Sequence, residues 1–353
     1  FKQYVNAFYS QYGNKIGDKF SFLLGLRYEG TRITINQKTS ADFEKKEYNQ
    51  LFPTLNLSYE LSEKESVTFG YNRRIRRPRS RFINPFPSRS SATSIFQGNP
   101  DLDPSVSDAF DIGYINRFGK VTLSASTYFQ HETNSFNFIV RSTDLFYIFE
   151  TNQTISENDP NFEQFQEDYD LVPVIRRGPV NLATNDRFGF EFTLNYRQSK
   201  DWNINGNFNL FQSITRGDFE GQNFDAENLS WFIRLNNKYT LPGNIDWQTR
   251  MFYGGPSETA QSKNKGIFST DLAFSKDLFQ DNASLAFNVS DLFNSRKRIS
   301  ESITPTFNSD SEFQWRQRTY TLSFTYRFNQ KKRQERNRQD NGGGDDMMEF
   351  SGT

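Results

Sequence analysis

The chain has 353 residues, no cysteine, one histidine, and 42 basic against 42 acidic side chains. The cysteine count excludes disulfide scaffolds, thiolate zinc sites and cysteine nucleophiles. The single histidine excludes multi-histidine metal centres, and zero net charge leaves no footprint for nucleic acid.

Only 35% of residues are hydrophobic, which is thin for a packed core, yet aromatics reach 16% and phenylalanine alone counts 38. Disorder is poor in aromatics, so wholesale disorder does not fit. No apolar run approaches the ~18 residues of a helical membrane span. The chain begins at Phe1, which reads as a processed or truncated start.

In chain order the dominant period is two. A weak alternation over Tyr4 to Tyr12 comes first. Phe20, Phe22, Leu24, Leu26 and Tyr28 follow, then Leu55, Leu57, Tyr59 and Leu61, then Val67, Phe69 and Tyr71. Phe110, Ile112 and Tyr114 make the next strand, and Val121, Leu123 and Ala125 the one after. The acidic stretch Asn161 to Asp170 suits one short helix. Phe188, Phe190, Phe192, Leu194 and Tyr196 resume the alternation. Weaker versions span Trp202 to Leu210, Trp231 to Leu241, Ile245 to Tyr253 and Ile267 to Phe274. Leu285, Phe287 and Val289 precede the cleanest case, Tyr320, Leu322, Phe324, Tyr326 and Phe328. This makes about thirteen strands, most near the ~9–11 residues of a tilted membrane strand.

Three features favour a membrane barrel over a soluble sandwich. The polar strand faces carry Ser, Thr, Asn and Gly, as a wet lumen would. Tyrosines recur at strand ends (Tyr28, Tyr59, Tyr71, Tyr114, Tyr196, Tyr239, Tyr326), which suits interfacial girdles. The connections alternate in length. Gly13–Asp18, Ser62–Glu65, Arg117–Lys120, Gln198–Asp201, Pro242–Asn244 and Leu278–Asp281 are short. Gly30–Glu47, Arg73–Ser107, His131–Asp186, Thr215–Asn228, Gly254–Lys265 and Asn294–Phe313 are long or intermediate. Periplasmic turns and extracellular loops alternate in this way. With short turns inside, the last strand ends in the periplasm and Phe1 starts outside. An odd strand count then implies further strands before Phe1.

Several segments resemble one family. Gly25-Leu26-Arg27-Tyr28-Glu29, the run Tyr71 to Pro78 followed by Asn84-Pro85-Phe86, and Gly98-Asn99-Pro100-Asp101-Leu102-Asp103-Pro104 with Asp111-Ile112-Gly113-Tyr114 behind it resemble its motifs in order. So do Asp291-Leu292-Phe293-Asn294 and the terminal Tyr326-Arg327-Phe328. The chain resembles the C-terminal β-barrel portion of a TonB-dependent receptor, in the Bacteroidetes-type outer-membrane β-barrel family. The resemblance implies a barrel of ~22 strands, of which this is the last part. It also implies a plug and a TonB-contacting segment outside this sequence, and capture of a solute by extracellular loops. Pro78, Pro85 and Pro87 would end strand pairing, and Gly98-Asn99-Pro100 would supply a turn.

The basic run Arg73, Arg74, Arg76, Arg77, Arg79 and Arg81 reads either as an anion site or as a rim facing lipopolysaccharide and solvent. Arg74 and Arg76 share a face. Phe146, Tyr147 and Phe149, with Phe136, Phe138, Phe162 and Phe165, either stack on a ligand or pack the longest loop. The acids Glu157, Asp159, Glu163, Glu167, Asp168 and Asp170 lack the spacing of a calcium loop. A hydrolase would have to use His131, which has no nucleophile motif around it. Gly113 to Lys120 is one residue too long for a phosphate loop and lacks the following Ser or Thr.

The expectation is an all-β, antiparallel transmembrane β-barrel over residues 1–328 and a disordered charged periplasmic tail over 329–353. No enzyme, metal or cofactor is expected. The partners expected are outer-membrane lipid and lipopolysaccharide, the TonB system through a plug, a surface lipoprotein, and a small or oligomeric nutrient. The functional expectation is TonB-dependent uptake of a siderophore, glycan or peptide. The rival is a receptor-like barrel serving as a structural subunit of an assembly or secretion complex.

Overall fold

A computed structural model describes residues 2–37, 42–303 and 308–328. The expected tail, 329–353, lies outside them. Thirteen antiparallel strands follow one another edge to edge in chain order. They are β1 (Lys2–Ile16), β2 (Phe20–Gln37), β3 (Asp42–Glu60), β4 (Glu65–Arg76), β5 (Ser105–Phe118), β6 (Val121–Ile148), β7 (Leu171–Arg197), β8 (Trp202–Arg216), β9 (Ala226–Leu241), β10 (Ile245–Gly254), β11 (Ile267–Leu278), β12 (Ala283–Ser290) and β13 (Thr319–Tyr326). Every expected strand is present. Among the described residues β1 and β13 do not pair with each other, so both remain free edges.

Register keeps the two faces chemically distinct. Leu24 lies opposite Leu55, Phe110 opposite Phe129, and Phe129 opposite Phe188. Leu24, Phe110, Phe129, Phe188, Phe190 and Leu322 are exposed, as a wall meant for hydrocarbon requires. The other face carries Thr54, Asn56, Ser124, Ser126, Thr193, Asn203, Asn205 and Asn207. Asparagines there bond across strands: Asn207 Nδ2 donates to Thr193 Oγ1 at 2.9 Å and to Glu191 at 2.8 Å. A one-residue slip would turn this polar row into lipid, so the alternation fixes the register.

The short turns are tight. Gly119 and Gly243 have φ of 62° and 87°, the left-handed region that suits glycine in such connections. The opposite end differs from the expectation. Gly30–Glu47 and His131–Asp186 were expected as loops, but strand pairing continues through most of both. β6 and β7 are 28 and 27 residues long, so their hairpin stands well beyond the ~9–11 residues that cross the membrane. Alternation vanishes above the membrane because these residues pack on protein on both sides. The expected helix is present as α2 (Phe162–Asp168), and a shorter one, α1, spans Ser80–Ile83.

The buried apolar clusters sit in this extracellular part. Ile139, Val180, Leu182 and Phe224 form one; Ile33, Ile83 and Leu102 a second; Ile95, Tyr147 and Val174 a third. The wall itself needs little interior.

Candidate functional site

The segment from Arg77 to Pro104, between β4 and β5, folds onto the polar face of the extracellular wall as a vestibule segment. Ile83 and Leu102 bury themselves against Ile33, with Phe82 and Phe136 packed beside them. The glycine of Gly98-Asn99-Pro100 lets the segment close on itself. A Cβ at Gly98 would stand 2.5 Å from the Asn84 carbonyl oxygen and 2.6 Å from that of Phe82. In its absence the Gly98 N–H donates to Asn84 O at 3.0 Å and the Asn99 N–H to Phe82 O at 2.6 Å. Asn99 Oδ1 then accepts from the Asp101 N–H at 2.9 Å, closing the expected turn. The residue before Pro104 is fixed by Asn181, whose Oδ1 accepts from the Asp103 N–H and whose Nδ2 donates to the Asp103 carbonyl.

A short strand, Ser94–Phe96, runs parallel to Ile175–Arg177 of β7. The Gln97 N–H donates to the Arg177 carbonyl at 3.0 Å. This pairing sets Phe96 beside Phe138 with ring centroids 6.3 Å apart, and Phe82 meets Phe138 edge-on at 5.0 Å.

The basic run is not one patch. Period two sends Arg73 to the apolar face, where it makes a two-pronged pair with Asp108 at 2.8 and 2.9 Å. Arg76 pairs with Glu132 at 3.2 Å and lies over the Phe136 ring. Arg77 is claimed by Glu29 and by Thr31 Oγ1. Arg74 and Arg79 are exposed, with no ion pair among the described residues. Arg81 stands over Phe96 at 4.4 Å, and Arg177, distant in sequence, over Phe138 at 5.5 Å. Burial, with the charges of Arg298 and Arg81 adding to it, holds the Arg177 guanidinium below its ordinary pKa.

Of the loop aromatics, Tyr147 is a core residue, 8% exposed, packed on Ile95 and Val174 and bonded to Asn152. Phe146 meets Phe162 of α2 at 5.1 Å. Phe149 is exposed and edge-on to Tyr147.

The Asp291-Leu292-Phe293-Asn294 motif ends β12. Asp291 is 2% exposed and accepts from the Ser295 and Arg296 N–H groups at 3.0 Å each. Asn294 Oδ1 accepts from the Arg318 N–H and from Gln314, tying the start of β13 to the same knot. Leu292 N–H reaches the Thr270 carbonyl at 2.7 Å, and Phe293 stacks on Phe268. Phe328 is exposed beside Tyr326, 4.6 Å between ring centroids.

His131 lies in β6 rather than in a loop. Its Nδ1 meets Asp186 Oδ1 at 2.5 Å, and Asp108 is directly opposite on β5. The group shares the apolar face with Phe110, Phe129 and Phe188, so it points away from the lumen. No serine hydroxyl among the described residues bonds to it. Lower on the polar face, a recess of about 350 Å³ is lined by residues that include Asn205, Asn236, Lys238, Gln248, Arg250 and Asn288. Among the described residues no three His, Asp or Glu side chains gather as a metal site.

An antiparallel wall with one lipid face, one polar face and all tall loops at one end defines an outer-membrane barrel. The sequence matches the outer membrane protein beta-barrel family over residues 1–326 and belongs to that family. No curated protein matches it in sequence. Among solved structures, the siderophore receptor PirA from Acinetobacter baumannii aligns at TM-score 0.54 and 16% identity, over 92% of this chain and 46% of that one. The FrpB iron transporter from Neisseria meningitidis aligns at TM-score 0.58 and 14% identity, over 92% and 46%. The copper transporter OprC aligns at 0.58 and 12%, over 92% and 47%. At these identities the likeness is one of fold. The chain spans about half the length of each of these structures.

Proposed function

We propose that the chain is the wall and loop portion of an outer-membrane receptor that captures a scarce solute outside the cell and admits it with energy delivered through TonB. The observation that carries this reading is the inward-folded Arg77–Pro104 segment. It is held by its own hydrogen bonds and by Asn181 over a polar lumen, where it can meet a solute entering from outside. Further strands pair with β1 and β13 to complete the barrel, and a plug in the rest of the protein closes it. The likeness to receptors and transporters of siderophore, iron and copper supports the reading at the level of fold. No bond-breaking chemistry enters it.

The test is deletion of the gene followed by growth on defined, limiting iron and carbon sources. A defect confined to one source, reversed by the wild-type gene, is expected. Normal growth on every source, together with a lipoprotein that co-purifies over the loops, would replace the receptor with a structural subunit of a surface assembly.

A further inference from the structure

We propose that the recess low on the polar face is a second solute site, on the exit side of the wall, for a neutral, hydroxyl-rich molecule of the oligosaccharide class. The inference rests on the receptor reading and names its solute class.

Strand register builds the recess. Asn203, Lys238, Gln248, Ala273 and Asn288 stand abreast on β8 to β12, each directly opposite the next. Lys238 and Gln248 lie close to the short turn that joins Leu241 to Ile245. Asn195, Asn205, Asn236, Arg250 and Asp271 form the next row towards the vestibule segment, again each opposite its neighbour. Ala273, short between Gln248 and Asn288, leaves room among these long side chains. The space of about 350 Å³ falls within the ~300–1,000 Å³ of small-molecule sites.

The polar groups around the recess are engaged, and those inside it are not. Asn205 donates to Asn195 at 2.6 Å and accepts from Asn236 at 3.3 Å. Asn207 donates to Glu191 and Thr193, and Asn209 accepts from Tyr128. Lys238 pairs with Asp246 at 3.0 Å, and Asp271 with Arg296 at 2.8 Å. The carboxamides of Asn203, Gln248 and Asn288 and the guanidinium of Arg250 have no hydrogen bond or ion pair among the described residues. All four line this one recess.

Those free groups define the ligand. A carboxamide presents a donor and an acceptor side by side, and a hydroxyl is both at once, so facing amides can pair with successive hydroxyls. The other lining charges cancel in pairs, which leaves a multiply charged solute only Arg250 to meet. No aromatic ring lines the recess among the described residues, so a flat apolar solute finds no face to stack on.

The test titrates the full-length protein in detergent micelles, by calorimetry, with maltotriose, cellotriose and xylotriose. The per-O-methylated form of each, which accepts hydrogen bonds and donates none, is titrated beside it. Saturable binding of at least one trisaccharide is expected, and its methylated form should not compete. Gln248→Ala and Asn288→Ala should each weaken binding about fivefold, the loss of about one net hydrogen bond. Asn56→Ala, at a luminal amide outside the recess, should leave it unchanged. Neither recess variant removes a side-chain bond of the fold, so both assemble as wild type does. Binding of none of the three sugars, equal binding of a methylated form, or unchanged affinity in both recess variants overturns the site. In cells, a source-limited growth defect of the deletion strain that Gln248→Ala/Asn288→Ala rescues fully refutes the site and leaves the receptor standing. A deletion strain with no such defect removes the receptor reading instead.

Discussion

Gln261 bonds Val140 with both ends of its side-chain amide: Oε1 accepts from the backbone N–H at 2.8 Å, and Nε2 donates to the carbonyl at 3.1 Å. One side chain thereby acts as an added strand residue and joins two extracellular hairpins that are remote in sequence. Each such bond contributes about 1 kcal/mol net. Gln261→Ala is expected to speed hydrogen exchange at the Val140 amide by about tenfold or more, with exchange in the wall strands unchanged. Gln261→Glu keeps the acceptor and loses the donor, so an intermediate rate is expected. Unchanged exchange at Val140 in Gln261→Ala would show that the hairpins are held elsewhere.

Gly98 should tolerate no side chain. Its Cβ would meet three backbone carbonyls, those of Arg81, Phe82 and Asn84, all within 2.8 Å. Backbone cannot step aside as a side-chain tip can, so Gly98→Ala is expected to loosen the vestibule segment and open residues 85–97 to protease. Gly25→Ala is the matched control. Its nearest neighbour would be Thr54 Cβ at 3.5 Å, an ordinary contact. Limited proteolysis of intact cells compares the two.

Asp291 should be worth more than its exposed neighbours. It is buried, sits at φ 53°, and neutralises two backbone N–H groups, while its own N–H is held by Asp271 Oδ1 at 2.9 Å. Asp291→Ala leaves both N–H groups without an acceptor, at about 1–3 kcal/mol each when buried. Asp291→Asn retains one acceptor oxygen and should lose less. The readout is the temperature at which the detergent-solubilised protein loses its folded electrophoretic mobility. The expected order is wild type, Asn, Ala.

The wall was legible because lipid imposes its period on the chain. Leu322, Phe324 and Tyr326 must face hydrocarbon while Thr321, Ser323 and Thr325 face water, and no other fold constraint blurs that column. The closing motif was half legible: Asp291 works through local backbone bonds to Ser295 and Arg296, which short-range sequence determines, whereas Asn294 accepts from Arg318 and Gln314 across the connection to β13. The height of the projections was not. Above the membrane, Val180 and Leu182 pack on Ile139 and Phe224, and a strand covered by protein on both faces loses its alternation. The vestibule was half legible. The sequence shows Arg74, Arg76, Arg77 and Arg79 as neighbours, but strand geometry disperses them to separate partners. The cations that do share one aromatic group, Arg81 over Phe96 and Arg177 over Phe138, share no spacing that the chain alone reveals. Tyr147 shows the same limit: an aromatic in the apolar run Leu145 to Phe149 can stack on a ligand or pack the loop, and only its burial with Ile95 and Val174 decides for packing.

Adjacent residues on one strand should respond oppositely to the same substitution. Phe192 is exposed on the apolar face of β7, while Thr193 turns to the polar face and accepts from Asn207. An arginine at a lipid-facing position near mid-membrane costs about 2–4 kcal/mol, while lumen positions take charge with little loss. Phe192→Arg is therefore expected to lower the assembled protein in the outer membrane several-fold. Thr193→Arg should assemble near the wild-type level, losing only one bond of about 1 kcal/mol. Quantitative blots of outer-membrane fractions measure both. Equal loss in the two variants would mean that both faces are buried in protein, and the barrel reading would give way to a sandwich. A larger loss in Thr193→Arg would invert the faces and move the Arg77–Pro104 segment to the outside of the wall.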